Sequence, residues 1–171
     1  MINIPRYKDF PKPGINFINT VEICNDPIKF KNSIDWFTMQ VNNHKDLFAL
    51  DARGFIWGSP VALLKGLPFH VIRKQGKLPG NTYKQSYKLE YGEDTIEINN
   101  SVPTGNRKVL IVDDLVATGG TLKAACNLLH NHLGIEYYNI TCVVLVNLTF
   151  LNGTKRLEEL GVNVRSCINE V

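Results

Sequence analysis

The sequence predicts an α/β fold, a parallel sheet of about five strands flanked by helices. Three observations carry that expectation. Short aliphatic runs at Phe48-Ala49-Leu50, Phe69–Ile72, Val109–Val112, Ile140–Val146 and Val162–Cys167 alternate with segments whose apolar residues recur at helical spacing. Such alternation closes most simply into a parallel sheet with right-handed crossovers. A chain of 171 residues, 44% hydrophobic and 20% charged, has the size and composition of one folded domain, and neither a linker, an internal repeat nor a low-complexity tract divides it.

Ile4 to Phe17 holds three prolines and Gly14, which excludes a helix. Asp26-Pro27 reads as an N-cap followed by proline at the first helical position, and Phe30, Ile34, Phe37 and Val41 mark the buried face of the helix that follows. The strand at Phe48-Ala49-Leu50 runs into Asp51-Ala52-Arg53-Gly54, after which Phe55 to Leu64 is helical and Gly66 stops it. An acid, a small residue, arginine and glycine at a strand end suit an anion site, with Arg53 and exposed amides as donors.

Phe69–Ile72 leads into Arg73-Lys74-Gln75-Gly76-Lys77. A solvated charge run is the ordinary reading, but a position after a strand end places Arg73, Lys74 and Lys77 where a polyphosphate could be met. Tyr87, Leu89 and Tyr91 alternate with charges, as does Thr95-Ile96-Glu97-Ile98 after a turn, which reads as a two-stranded excursion. Leu122, Ala125, Cys126 and Leu129 form the stripe of another helix, with His130 and His132 at its end as dipole-compatible residues and not ligands. Leu151 to Leu160 is a further helix closed by Gly161.

Val109 to Thr121 is the centre of the chain. Its aliphatic run is a strand buried on both faces, with Asp113 and Asp114 at its C-terminal end and a turn of small residues opening a helix. The backbone N–H groups of Ala117, Thr118, Gly119, Gly120 and Thr121 are then available to a phosphate, and the positive end of the helix faces it. Asp113 and Asp114 repel the same anion and call for hydroxyls or a cation. The ligand therefore carries a phosphate at one end and a diol, with or without Mg2+, nearby.

That chemistry is a ribose 5-phosphate, and Val109 to Thr121 resembles the phosphoribosyl pyrophosphate (PRPP) motif of type I phosphoribosyltransferases, in the form typical of the adenine-specific members. A Walker B strand is excluded by the lack of a Gly-x4-Gly-Lys-Ser/Thr loop, and a receiver domain needs about 100 residues beyond the acids, more than follow here. The resemblance extends to Phe10-Pro11-Lys12-Pro13-Gly14, part of a hood over the purine, to Arg73-Lys74-Gln75-Gly76-Lys77-Leu78-Pro79, and to Leu89-Glu90-Tyr91-Gly92 in a mobile two-stranded lid. It implies one phosphoribosyltransferase domain over residues 1–171, with a hood at about 1–20 and a lid at about 77–98. Family members usually have a helix before the Pro-rich segment, and the sequence holds no counterpart.

The implied reaction transfers phosphoribose from PRPP to adenine, giving AMP and pyrophosphate with inversion at C1. Asp51, Ala52, Arg53, Gly54, Arg73, Lys74 and Lys77 would bind pyrophosphate, and the family's cis peptide would fall between Asp51 and Ala52. Glu90 would handle a purine proton, with Tyr91 in the lid and Arg53 assisting the leaving group. Asn16, Phe17 and Leu115 would enclose the base, and Mg2+ would arrive held mainly by PRPP, with no direct protein ligand. Asn16, Ile18 and Asn19 depart from the family pattern of an aliphatic, a basic and an acidic residue, so a 6-oxopurine enzyme is one alternative reading. A PRPP-sensing regulator on the same fold is another, opposed by Glu90 and the leaving-group cations.

A net charge of +3 without clustering argues against nucleic acid as a partner. The sequence has neither a signal-peptide core nor a membrane span, which leads to the expectation of a cytoplasmic protein, and the family implies a homodimer. Cys24, Cys126, Cys142 and Cys167 are widely spaced and read as reduced core thiols.

Overall fold

The computed structural model describes residues 4–89 and 92–171. A small antiparallel hairpin pairs β1 (Arg6–Lys8) with β2 (Asn16–Ile18), the form taken by the proline-rich opening that cannot be a helix. A 3-10 turn over Thr20–Asn25 leads to α1 (Pro27–Met39). There the Asp26 side chain accepts the backbone N–H groups of Ile28 and Lys29, capping the helix as its sequence requires.

The main sheet contains β3 (Asp46–Leu50), β4 (Phe69–Lys74), β5 (Thr82–Leu89), β6 (Gly92–Asn99), β7 (Val109–Val116), β8 (Ile140–Leu148) and β9 (Asn163–Glu170), in the order β5-β6-β4-β3-β7-β8-β9. The five strands β4, β3, β7, β8 and β9 are parallel, as the aliphatic runs predict. Helices α2 (Gly54–Lys65), α3 (Gly120–Leu133) and the short α4 (Gly153–Glu158) supply the crossovers. Two apolar clusters divide between the faces of the sheet, one around Ile111, Leu128 and Val144, the other around Trp57, Leu110 and Leu145.

Several boundaries differ from expectation for identifiable reasons. The two-stranded excursion is not separate from the sheet, because Arg73 and Lys74 pair with Glu97 and Ile96 and bring β6 onto β4. Such a ribbon is marginal alone, and edge pairing stabilises it. Strand β7 continues through Asp113 and Asp114 to Val116, so both acids lie within the strand. The expected helix from Leu151 to Leu160 shortens to a 3-10 turn and α4, with Asn152 left-handed at φ 56° between them. Cys126 and Cys142 are core residues, whereas Cys24 and Cys167 are only partly buried. His130 donates to the Ile135 carbonyl and stacks on Tyr137, and His132 stacks on Tyr83, so both serve packing.

Candidate active site

Loops after β3 and β7 meet at the C-terminal edge of the sheet, where open parallel sheets bind ligands. They enclose a cleft of about 280 Å³ lined by Asp51, Ala52, Arg53, Lys74, Asp113, Asp114, Leu115 and the loop from Ala117 to Thr121. The peptide bond between Asp51 and Ala52 is cis, at the expected position.

The two acids on β7 are not equivalent. Asp114 is buried, and one of its oxygens, Oδ2, accepts the Thr20 hydroxyl at 2.6 Å and pairs with Arg53 Nε at 3.2 Å. Asp113 has no cation as close among the described residues; burial, and next the charge of Asp114, push its carboxyl well above the ordinary carboxylate range. Its Oδ1 accepts the Asp114 amide at 2.9 Å. The pair thus offers a diol two carboxyls side by side in unlike surroundings, Asp114 held by Thr20 and Arg53 and Asp113 without them.

Backbone contact holds the anion loop. Gly119 has φ 81°, and a β-carbon there would lie 2.7 Å from the Gly153 carbonyl oxygen. A β-carbon on Gly153 would lie 2.2 Å from the Ala117 carbonyl oxygen. Loop and α4 therefore pack backbone to backbone, and Arg156 Nη1 adds a bond to the Thr118 carbonyl at 3.1 Å. Gly54 serves in a similar way, since a β-carbon would strike the Val112 carbonyl oxygen at 2.5 Å, so it brings α2 against β7 behind the cleft wall.

The cations divide into two groups. Arg73 and Lys77 both reach Asp51 Oδ2, at 3.1 and 3.5 Å, beside the cleft but outside its lining. Buried Glu97 shapes their loop by accepting the amides of Lys77 and Leu78, each at 3.0 Å, and the Thr82 hydroxyl at 3.1 Å. Burial presses the Glu97 carboxyl upward, but these bonds, first that from Leu78, outweigh it and hold it below its ordinary value. Lys74 lines the cleft and donates to Asp94 and, at 3.0 Å, to the Tyr87 hydroxyl. Burial opposes its charge, while Asp94 and Tyr87 more than offset that and raise it. Thr121 donates to the Tyr87 hydroxyl at 3.4 Å, so β5 touches the start of α3.

Phe17 lies under the Arg53 guanidinium, 5.8 Å from its ring centre, and meets Phe10 edge-on at 5.1 Å. Strand alternation puts Asn16 on the opposite face of the hairpin, and it is exposed. Leu115 lines the cleft. Glu90 and Tyr91 lie outside the described residues. Sequence reasoning missed Thr20, Tyr87, Asp94, Gly153 and Arg156. Only the glycine after Asn152 carried a local signal, an Asn-Gly pair that breaks helical propensity.

A strand bearing paired acids, a glycine turn opening a helix and a facing arginine loop define a site for a phosphorylated sugar. The chain belongs to the phosphoribosyltransferase family, whose phosphoribosyl transferase domain matches residues 30–170. It is 44% identical over 161 residues to the adenine phosphoribosyltransferase of Leptospira biflexa, covering 92% of this chain and 89% of that one. The crystal structure of adenine phosphoribosyltransferase from Thermoanaerobacter pseudethanolicus superposes with a TM-score of 0.88 at 37% identity, covering 98% of this chain and 95% of the other. An APRTase from Giardia lamblia, complexed with 9-deazaadenine, gives 0.91 at 32% identity, covering 98% and 94%.

Two predictions follow from this geometry. Gly153→Ala should weaken PRPP binding at least tenfold while leaving the far-UV circular dichroism native, because the loop must shift to admit a methyl group and overpacking costs about 1–3 kcal/mol; unchanged affinity would show that the glycine contact does not hold the loop. Raised Asp113 makes the folded chain bind a proton more tightly than the unfolded one, so its contribution to stability is present at acid pH and lost as pH rises from 3.8 through the raised native value. Asp113→Asn removes that loss, and the difference in Tm between variant and parent should therefore grow in favour of the variant from pH 4 to pH 8; a flat difference contradicts the assignment.

Proposed function

We propose that the chain transfers the 5-phosphoribosyl group from PRPP to adenine, giving AMP and pyrophosphate with inversion at ribose C1. The observation that carries this reading is the single cleft in which the Asp113–Asp114 pair, the Ala117–Thr121 loop and the Arg53 loop converge. The amides of that loop bind the 5-phosphate, aided by the N-terminal end of α3, and the acid pair holds the ribose hydroxyls. Ala52, Arg53 and Lys74 face the departing pyrophosphate, with Asp51 holding Arg73 and Lys77 alongside. Charge that builds on the leaving group is met there by fixed cations, which is the main electrostatic demand of a step with oxocarbenium character.

Phe17 and Leu115 enclose the base, and Glu90 handles a proton on the purine ring. Glu90 stands between β5 and β6, and the contact of Tyr87 with Thr121 supports a lid that closes over the phosphate loop. Mg2+ binds small oxygen-rich ligands and keeps substrate phosphates in its shell, so PRPP itself would carry it, with Asp51, Asp113 and Asp114 the carboxylates lining the cleft. The chemistry it supplies is neutralisation of the pyrophosphate charge. Residues 1–171 act as one domain with a hood at about 1–20 and a lid at about 77–98. The enzyme works as a cytoplasmic homodimer, and exposed Met39 on α1 and Leu63 and Leu64 on α2, which a second copy would cover, support the dimer. No helix among the described residues is long and apolar enough to cross a membrane.

The test is product formation from PRPP and Mg2+ with adenine, hypoxanthine, guanine and xanthine offered separately, read by mass. AMP should be the only nucleotide formed, and Glu90→Ala should lower kcat by about tenfold or more, as loss of proton transfer does. Product from an oxopurine, or tight PRPP binding with no product, would overturn the reading.

A further inference from the structure

A second cleft, of about 140 Å³, lies at the other end of the sheet, where β7, β8 and β9 begin. Asn42, His44, Lys108, Thr141, Asn163 and Arg165 line it, and no carboxylate is among its lining residues. Lys108 precedes β7, and Thr141, Asn163 and Arg165 stand in the first turns of pleat of β8 and β9. None of these residues belongs to the catalytic cleft.

The donors in this cleft are spare. Lys108 and Arg165 have no carboxylate partner within ion-pair distance among the described residues. Among the described residues Arg165 is hydrogen-bonded only through Nη1, at 3.4 and 3.5 Å from oxygens of Gln40. Those distances are at the limit of a hydrogen bond, so capping of α1 does not account for the whole guanidinium.

Buried His44 has a defined role in the wall. The Asn42 amide donates to its Nδ1 at 2.9 Å, which puts the ring proton on Nε2. Nε2 lies 3.2 Å from the Thr141 hydroxyl oxygen and donates to it. Thr141 therefore has its own hydroxyl proton left for a ligand. Burial, then the charges of Arg165 and Lys108, lower the His44 pKa to about 4, so the ring stays neutral and the relay keeps its direction at neutral pH.

Two cations, a directed hydroxyl and the side-chain amides of Asn42, Asn139 and Asn163 around a space of this size make a recognisable chemistry. We propose that the cleft binds a small tetrahedral dianion, either inorganic phosphate or the phosphate end of a monoester, between Lys108, Arg165 and the Thr141 hydroxyl. Helices α2 and α3 begin after β3 and β7, at the opposite edge of the sheet, so the positive charge here comes from the side chains of Lys108 and Arg165. Removing either cation should then weaken binding strongly, because charge-assisted hydrogen bonds are about twice as strong as neutral ones.

Equilibrium dialysis of radiolabelled inorganic phosphate, with no nucleotide present, tests this on the full chain. The parent chain should hold one more phosphate than a Lys108→Met/Arg165→Gln variant, whose residual affinity falls at least tenfold. Because the readout is a difference, it stands whether or not phosphate also enters the catalytic cleft, where both chains hold it equally. Equal binding by the two chains overturns the proposal. Should the double variant not fold, phosphate titration of the 15N-labelled parent decides: amide shifts at Asn42, Lys108, Thr141 and Arg165 support the site, and shifts confined to Ala117–Thr121 overturn it. Competition by methyl phosphate separates the sources, since equal displacement points to a monoester and resistance to free phosphate.

Discussion

One carboxylate oxygen joins the three parts of the candidate active site. Asp114 Oδ2 receives Thr20 from the segment that follows the hairpin and Arg53 from the loop after β3, while Asp114 itself belongs to β7. Its side chain is almost entirely buried, whereas that of Arg53 is 38% exposed. A buried carboxylate stripped of its partners is costly, about 3–5 kcal/mol where one member of a buried pair is removed. The same interaction places Arg53 against Phe17, so the position of the aromatic ring, the arginine loop and the acid pair are set together.

The rest of the cleft follows a division between rigid and adjustable parts. Backbone contacts between Gly119 and Gly153, and between Gly54 and Val112, leave no room for side chains, and they hold the phosphate loop and α2 against β7. The cations opposite are held by side-chain pairs instead: Arg73 and Lys77 by Asp51, Lys74 by Asp94 and Tyr87. Those bonds can exchange for bonds to a polyphosphate without moving the sheet. A preorganised anion loop facing exchangeable cations suits a substrate that arrives with its pyrophosphate and departs without it.

Much of this was legible in the residues themselves. The five parallel strands were marked by aliphatic runs, and the turn that opens α3 by Gly119-Gly120 after two acids, because local composition determines both. Asn16 and Phe17 illustrate a signal present but unused, since a two-residue period already places neighbours on opposite faces of a strand. Other contacts left no local mark. Thr20 meets Asp114 and Gly119 meets Gly153 across long separations, and their partners are chosen by the packing of whole elements. The same holds for Lys74 and Asp94, which face one another only because β6 pairs with β4. The second cleft draws on residues from Asn42 to Arg165, so no stretch of sequence announces it.

The most direct test of the central claim, that one cleft orders phosphate, ribose and base along β7, is a crystal structure with AMP bound. The account places the phosphate on the amides of Ala117–Thr121, the ribose hydroxyls on Asp113 and Asp114, and the adenine ring between Phe17 and Leu115. AMP bound with its phosphate at Arg53 and its base over the Ala117–Thr121 loop, or bound outside this cleft, would contradict it.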